Sequence, residues 1–221
     1  MHTNKTVNLK FFKGIKYMNK NIKYKNIIFD LGGVLVNWKP KEIIEDIFKN
    51  KKIEQPKNWQ SIISSDIFKN LEKGIISRKE AIKKIPEKTL QKQFLYLFEK
   101  ISDYLFPLKA GLEILDKIKT KKYNLYVLSN FQEEIFNQVA HNYNFLKDFD
   151  GIILSFNVKS MKPEPKIYHT LLNNYSLKPQ ECIFIDDMEE NIIGAKKVGI
   201  DGIICKNHSY VLGELKKLNI L

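Results

Sequence analysis

The feature that most constrains this chain is a set of short runs that are apolar at every position rather than at every second one. Asn26–Asp30, Asn124–Ser129, Gly151–Ser155 and Cys182–Asp186 are rich in β-branched and aromatic residues, and Gly202–Cys205 is a weaker fifth. A strand with one face in water alternates apolar and polar side chains, so continuous runs predict strands covered on both faces. Helix-length segments lie between them: Ala110–Lys119, Gln132–His141, Glu164–Asn173 and Glu189–Val198. This alternation predicts an α/β fold, a Rossmann-like parallel sheet with helices on both faces.

One interval breaks the alternation. From Trp38 to Pro107 there is no strand pattern, only helical ones such as KEIIEDIFKN, WQSIISSDIFKNLEKG and SRKEAIKKI. Ser77 followed by Glu80 has the spacing of a capping box at the start of the third. The interval is too long for an ordinary crossover and reads as a small helical cap inserted after the first strand. The expected organisation is a core of residues 25–37 and 106–221, a cap of 38–105, and a basic, flexible extension of 1–24. Met18 is a candidate start within that extension.

The formal charge of +12 invites a nucleic-acid reading, which the distribution of charge argues against. Residues 1–29 hold seven lysines and no acid, so 12 − 7 leaves +5 for the remainder. The only arginine is Arg78, whereas forked recognition of phosphates and guanines uses arginine. Abundant Lys, Asn and Ile instead suggest a compositional bias, and no nucleic-acid partner is expected. No apolar run approaches the roughly 18 residues needed to span a bilayer, so no membrane association is expected. The basic head lacks the apolar stretch of a secretory signal and the arginine and serine of a transit peptide. Cys182 and Cys205 each lie in an apolar run, the pattern of buried free thiols in a reducing cytoplasm.

Ligands of open parallel sheets bind outside the carboxyl ends of the strands, near the topological switch point. The first run ends in Asp30, the second in Ser129–Asn130 and the fourth in Asp186–Asp187; the loop NVKSMKPEPKIY after the third carries Lys162. Taken singly, Asp30 and Ser129–Asn130 also suit helix caps, and Lys162 suits a solvated loop. Two adjacent acids at a buried strand end repel each other, which calls for a cation or for the lysine.

In order along the chain, FDLGGVL, VLSN, MKPEPKIY and FIDDMEENIIGAKKVGI resemble the four motifs of the haloacid dehalogenase superfamily. The resemblance runs from about Asn26 to Asn207, and glycine after DL makes the pattern most similar to the glucose-1-phosphatase-like group. It implies a phosphatase in which Asp30 is the nucleophile and forms an aspartyl-phosphate. It implies Mg²⁺ held by Asp30, the backbone carbonyl of Gly32 and Asp187. Lys162 would neutralise the nucleophile and the phosphoryl group, while Ser129 and Asn130 would cradle the phosphoryl oxygens. Asp186 and Asn191 would orient Lys162 and the metal's waters. The double glycine fits a turn at Gly32 that aims its carbonyl at the metal and a close backbone approach to phosphate at Gly33.

The chain departs from that pattern at Gly32, where most family phosphatases carry a second Asp that protonates the leaving oxygen. Loss of a general acid–base costs about 10²–10⁴ in rate. The expected function is Mg²⁺-dependent hydrolysis of a small phosphorylated metabolite, a sugar phosphate above all. The alternative is a catalytically weakened member that binds phosphorylated ligands. A 2-haloacid dehalogenase is disfavoured, because no arginine follows Asp30 before Arg78 and Asp187 keeps the metal position. A mutase would need the missing acid in both half-reactions. The cap should meet the rest of the substrate, with Trp38, Trp59, Phe68 and Glu72 as specificity candidates, although aromatics at helical spacing more often pack a core. Oligomeric state does not follow from these residues.

Overall fold

The computed structural model describes residues 23–49, 53–57 and 63–221; the expected extension (all but its last two residues) and Trp59 lie outside the described residues. Five strands, β1 (Asn26–Phe29), β2 (Asn124–Ser129), β3 (Gly151–Leu154), β4 (Cys182–Asp186) and β5 (Asp201–Ile204), form one sheet in the order β3-β2-β1-β4-β5. Every pairing is parallel, with Phe29 level with Val127 on one side and with Ile185 on the other.

The side-chain period of two divides the strands between two cores. Ile27 and Phe29 of β1, Leu125 and Val127 of β2, and Ile183 and Ile185 of β4 point to one face. Ile28, Tyr126, Leu128 and Phe184 point to the other. Helices α5 (Lys109–Lys119) and α10 (His208–Lys217) cover the first face through Ile114, Leu115, Ile118, Val211 and Leu215. Helices α8 (Pro165–Asn174) and α9 (Glu189–Lys197) cover the second through Ile167, Tyr168, Leu171, Ile192 and Ala195. Burial on both faces is the physical reason the strands carry no polar alternation. Helix α6 (Glu133–Asn142) and the single turn α7 (Ser155–Val158) complete the layer around β3.

Between β1 and α5 the described elements are α1 (Pro40–Phe48), α2 (Asp66–Glu72), α3 (Arg78–Lys84) and α4 (Lys88–Lys100), then a 3₁₀ turn at Ile101–Tyr104. Pro40 opens α1, where its fixed φ suits the first turn. The capping box at α3 forms as read: Ser77 accepts from the Glu80 amide and Glu80 accepts from the Ser77 amide. Phe68, Leu71, Phe94, Leu97 and Phe98 give these helices an apolar interior continuous with the first core. The chain leaves and rejoins the sheet layer at neighbouring points. There the Asn37 amide donates to the Phe106 carbonyl, and Val36 bridges Pro107.

Cys182 and Cys205 are free and buried, and burial pushes each thiol up to about 11. Both should therefore react with a thiol reagent at pH 8 at less than about a hundredth of the rate of free cysteine. Both should react fully in guanidinium chloride, and rapid labelling of the native chain would contradict the packing.

Candidate active site

The chain enters the sheet at its centre, builds β2 and β3 to one side, then crosses to β4 and β5 on the other. The switch point thus falls between β1 and β4, and both end in acids. The Asp30 amide still donates to the Ile185 carbonyl, which carries the β1–β4 pairing one residue further and fixes where the carboxylate starts. Ser129 and Asn130 stand at the end of β2, on the other side of β1.

Lys162 reaches this edge from the loop after α7 and is only 2% exposed. Its Nζ lies 2.9 Å from Asp30 Oδ1 and 2.6 Å from Asp186 Oδ2. Burial alone pulls an ammonium down, but the two carboxylates more than offset this and hold its pKa above the usual lysine value. Burial pushes Asp30 up to about 7 against the opposing pull of Lys162, and pushes half-buried Asp187 up to about 6, with Asp186 adding to it. Asp186 accepts from Asn191 Nδ2 and from the Met188 amide, so its two oxygens are held on the α9 side while one meets Lys162. Tyr168 in turn donates to the Asn191 carbonyl.

Asn130 acts on the lysine's own peptide. Its Nδ2 donates to the Lys162 carbonyl and its Oδ1 accepts from the Lys162 amide, at 3.0 and 2.8 Å. The Asn130 side-chain amide is therefore occupied in clamping the lysine loop to β2. Ser129 is buried and bonds towards the Asp30 carboxyl, lowering its pKa.

The glycine pair divides its duties otherwise than the sequence suggested. Gly33, not Gly32, has the left-handed backbone, at φ +68°. A Cβ at Gly33 would stand 2.4 Å from Asp187 Oδ2, so its bareness makes room for the second acid of the pair rather than only for a phosphate. A Cβ at Gly32 would stand 3.3 Å from the Cβ of Trp38, which places Trp38 beside the site. Phe68 is buried and stacked on Phe98 with ring centroids 6.4 Å apart. Its ring packs among the helices, the core role that aromatics at helical spacing also take. Glu72, at the end of α2, lies within electrostatic reach of Lys162 and Asp30. Arg78 pairs with Glu134 and lies over the Phe98 ring, so this arginine is already engaged.

Two contributors escaped the sequence reading. Ser155, completely buried, accepts from the Phe131 amide at 2.9 Å and donates to the Glu72 carbonyl at 2.6 Å. Glu164 pairs with Lys73 and accepts from Ser160. The available signal for Ser155 was its position: like Ser129, it is a hydroxyl residue at the tip of an apolar run.

The donors fit a divalent cation. Oxygen atoms of Asp30, Asp186 and Asp187 lie within 4.8 Å of one another, all hard ligands, and one ammonium stands against three carboxylates. Buried Asn191 Oδ1 also has no hydrogen-bond partner among the described residues. No helix of the described residues is long and apolar enough to cross a membrane.

Replacing Lys162 by Met should cost about 3–5 kcal/mol in urea unfolding, because it strands buried charge. The loss should be smaller at pH 5 than at pH 8, since the carboxylates it leaves take up protons as the pH falls. Gly33→Ala should cost about 1–3 kcal/mol through its backbone and displace Asp187, so that Mg²⁺ raises its melting temperature less than that of the parent.

Residues 27–205 match the family model of haloacid dehalogenase-like hydrolases. A sesquiterpene phosphatase of Aspergillus oryzae is 26% identical over 88% of this chain and 96% of its own length. A D-ribitol-5-phosphate phosphatase of Bacteroides thetaiotaomicron is 27% identical over 80% of this chain and 89% of its own. A family enzyme from the same bacterium, solved as a magnesium complex, superimposes with a TM-score of 0.67 at 29% identity, covering 82% of this chain and 93% of that one. It has also been solved with magnesium and inorganic phosphate. The chain belongs to the haloacid dehalogenase-like hydrolase family.

Proposed function

We infer that this chain is a magnesium-dependent phosphatase that hydrolyses a small phosphorylated metabolite through an aspartyl-phosphate on Asp30. The observation that carries the reading is the buried Lys162, bonded to both Asp30 and Asp186 at the mouth of the switch point, with Asp187 alongside. A lysine in this position has no packing value that an apolar side chain would not exceed, so its use is chemical.

Asp30, the Gly32 carbonyl and Asp187 would hold Mg²⁺. When bound, the ion supplies positive charge that draws the phosphate dianion to a carboxylate nucleophile. The remaining steps belong to the chain. Burial and the Leu31 amide, which donates to Asp30 Oδ1 at 2.7 Å, fix the nucleophile so that its other oxygen is the one to attack phosphorus. Lys162 stabilises the charge that builds on the transferring group, and the Ser129 hydroxyl and the Asn130 backbone amide bind its oxygens. Asp186 and Asn191 keep Lys162 aimed. Helices α1–α4 serve as the cap of residues 38–105 over the core of 25–37 and 106–221. Trp38 beside Gly32 and Glu72 at the end of α2 are the cap residues closest in argument to the substrate.

A sugar or polyol phosphate is the favoured class, in line with the ribitol-phosphate relative. The sesquiterpene phosphatase is a reason to test a larger apolar ester beside it. Gly32 favours a second reading, a protein that binds phosphorylated ligands with little turnover. Phosphate release should be measured over sugar phosphates, polyol phosphates, a sesquiterpene phosphate and an aryl phosphate. Release should need Mg²⁺, stop with EDTA, and fall by at least about 10³ in Asp30→Asn. If the parent shows no activity above Asp30→Asn on any ester while still binding one, the second reading replaces the first.

A further inference from the structure

The usual proton donor of this fold family is missing at Gly32, yet another acid, Glu72, lies within electrostatic reach of Asp30 and Lys162. Glu72 ends α2, and the segment that carries it is tied to the lysine loop at three points. Ser155 Oγ donates to the Glu72 carbonyl at 2.6 Å, Lys73 pairs with Glu164, and Lys159 Nζ donates to the Gly74 carbonyl at 2.5 Å. Residues 155, 159 and 164 flank Lys162 in sequence, so the acid and the lysine share one frame. Glu72 lies within electrostatic reach of Lys162 and Asp30, the two residues on which phosphoryl transfer is proposed to turn. Its carboxyl has neither hydrogen bond nor ion pair among the described residues, unlike Asp30 and Asp186.

We propose that Glu72 is the general acid–base of the reaction, supplied by the cap in place of the side chain absent at Gly32. The inference rests on the phosphatase reading above and adds a named donor to it. Burial pushes the Glu72 carboxyl up to about 7, so a substantial share of the protein holds its proton at neutral pH. In the first half-reaction the Asp30–phosphorus bond forms as the bond from phosphorus to the ester oxygen breaks, and the Glu72 proton moves to that oxygen. In the second half-reaction, water gives its proton to the Glu72 carboxylate. Its oxygen bonds to phosphorus as the Asp30–phosphorus bond breaks, releasing inorganic phosphate and restoring both residues. A residue at position 32 would also begin against Trp38, so the space beside the nucleophile is already shared.

The test uses the full chain with Mg²⁺ and compares an alkyl ester, the best sugar phosphate of the panel, with an aryl phosphate whose phenolate leaves with little protonation. Glu72→Gln should lower kcat/KM for the alkyl ester by about 10²–10⁴ and lower that for the aryl ester much less. The ratio of the two should rise at least about tenfold, a change that a merely structural role would not make. Glu72→Asp, which keeps an acid on a shorter arm, should retain more of the alkyl rate than Glu72→Gln and serves if that variant folds poorly. Equal losses on both esters, or no loss on either, would overturn the role of Glu72 while leaving the phosphatase reading in place. A parent chain no faster than Asp30→Asn on both esters would instead remove that reading and this inference with it.

Discussion

A lysine buried between two carboxylates sets the terms for the rest of this molecule. Desolvating Lys162, Asp30 and Asp186 together is costly, and only close pairing makes it tolerable. Such pairing needs two strand ends and the lysine loop to meet closely. A parallel sheet provides that register, since β1 and β4 are adjacent and hydrogen-bonded up to the acid itself. The two cores hold the strands in place, and the Asn130 clamp brings the lysine loop in from the β2 side. Each layer of structure thus narrows the freedom of one ammonium group.

The excess of acid over base at this point is equally informative. One cation stands among three carboxylates; burial pushes Asp30 and Asp187 towards neutrality, and the negative charge of Asp186 beside them adds to it. A divalent ion held there would reverse that tendency and favour a charged Asp30. On the proposed reading the site would be completed electrostatically by what it binds, first a divalent cation and then a phosphate.

The layered fold was legible because its signal is physical and local. Runs such as CIFID can only be strands with two buried faces, and all five strand positions were readable to within a residue. The polar strand ends were legible for the same reason, because Asp30 and Asp186–Asp187 interrupt apolar sequence where a core residue would be expected. What was not legible depends on contacts between distant segments. Nothing in LSN says that the asparagine turns to the peptide of Lys162, 32 residues away. Assigning the turn to Gly32 failed because two adjacent glycines are indistinguishable in sequence, and only the position of Asp187 decides which must lack a side chain. The stacking of Phe68 on Phe98 was not legible either, because a helix that covers a site and a helix that packs a core share one apolar period.

The contact between Gly32 and Trp38 bears on how such a chain can change over time. With Trp38 Cβ and the indole's first carbons only 3.3–3.5 Å from where a Cβ would stand, a side chain at position 32 requires Trp38 to give way slightly. Introducing an acid there by a single replacement would therefore press on a neighbour six positions on, so a change at position 32 is felt at position 38.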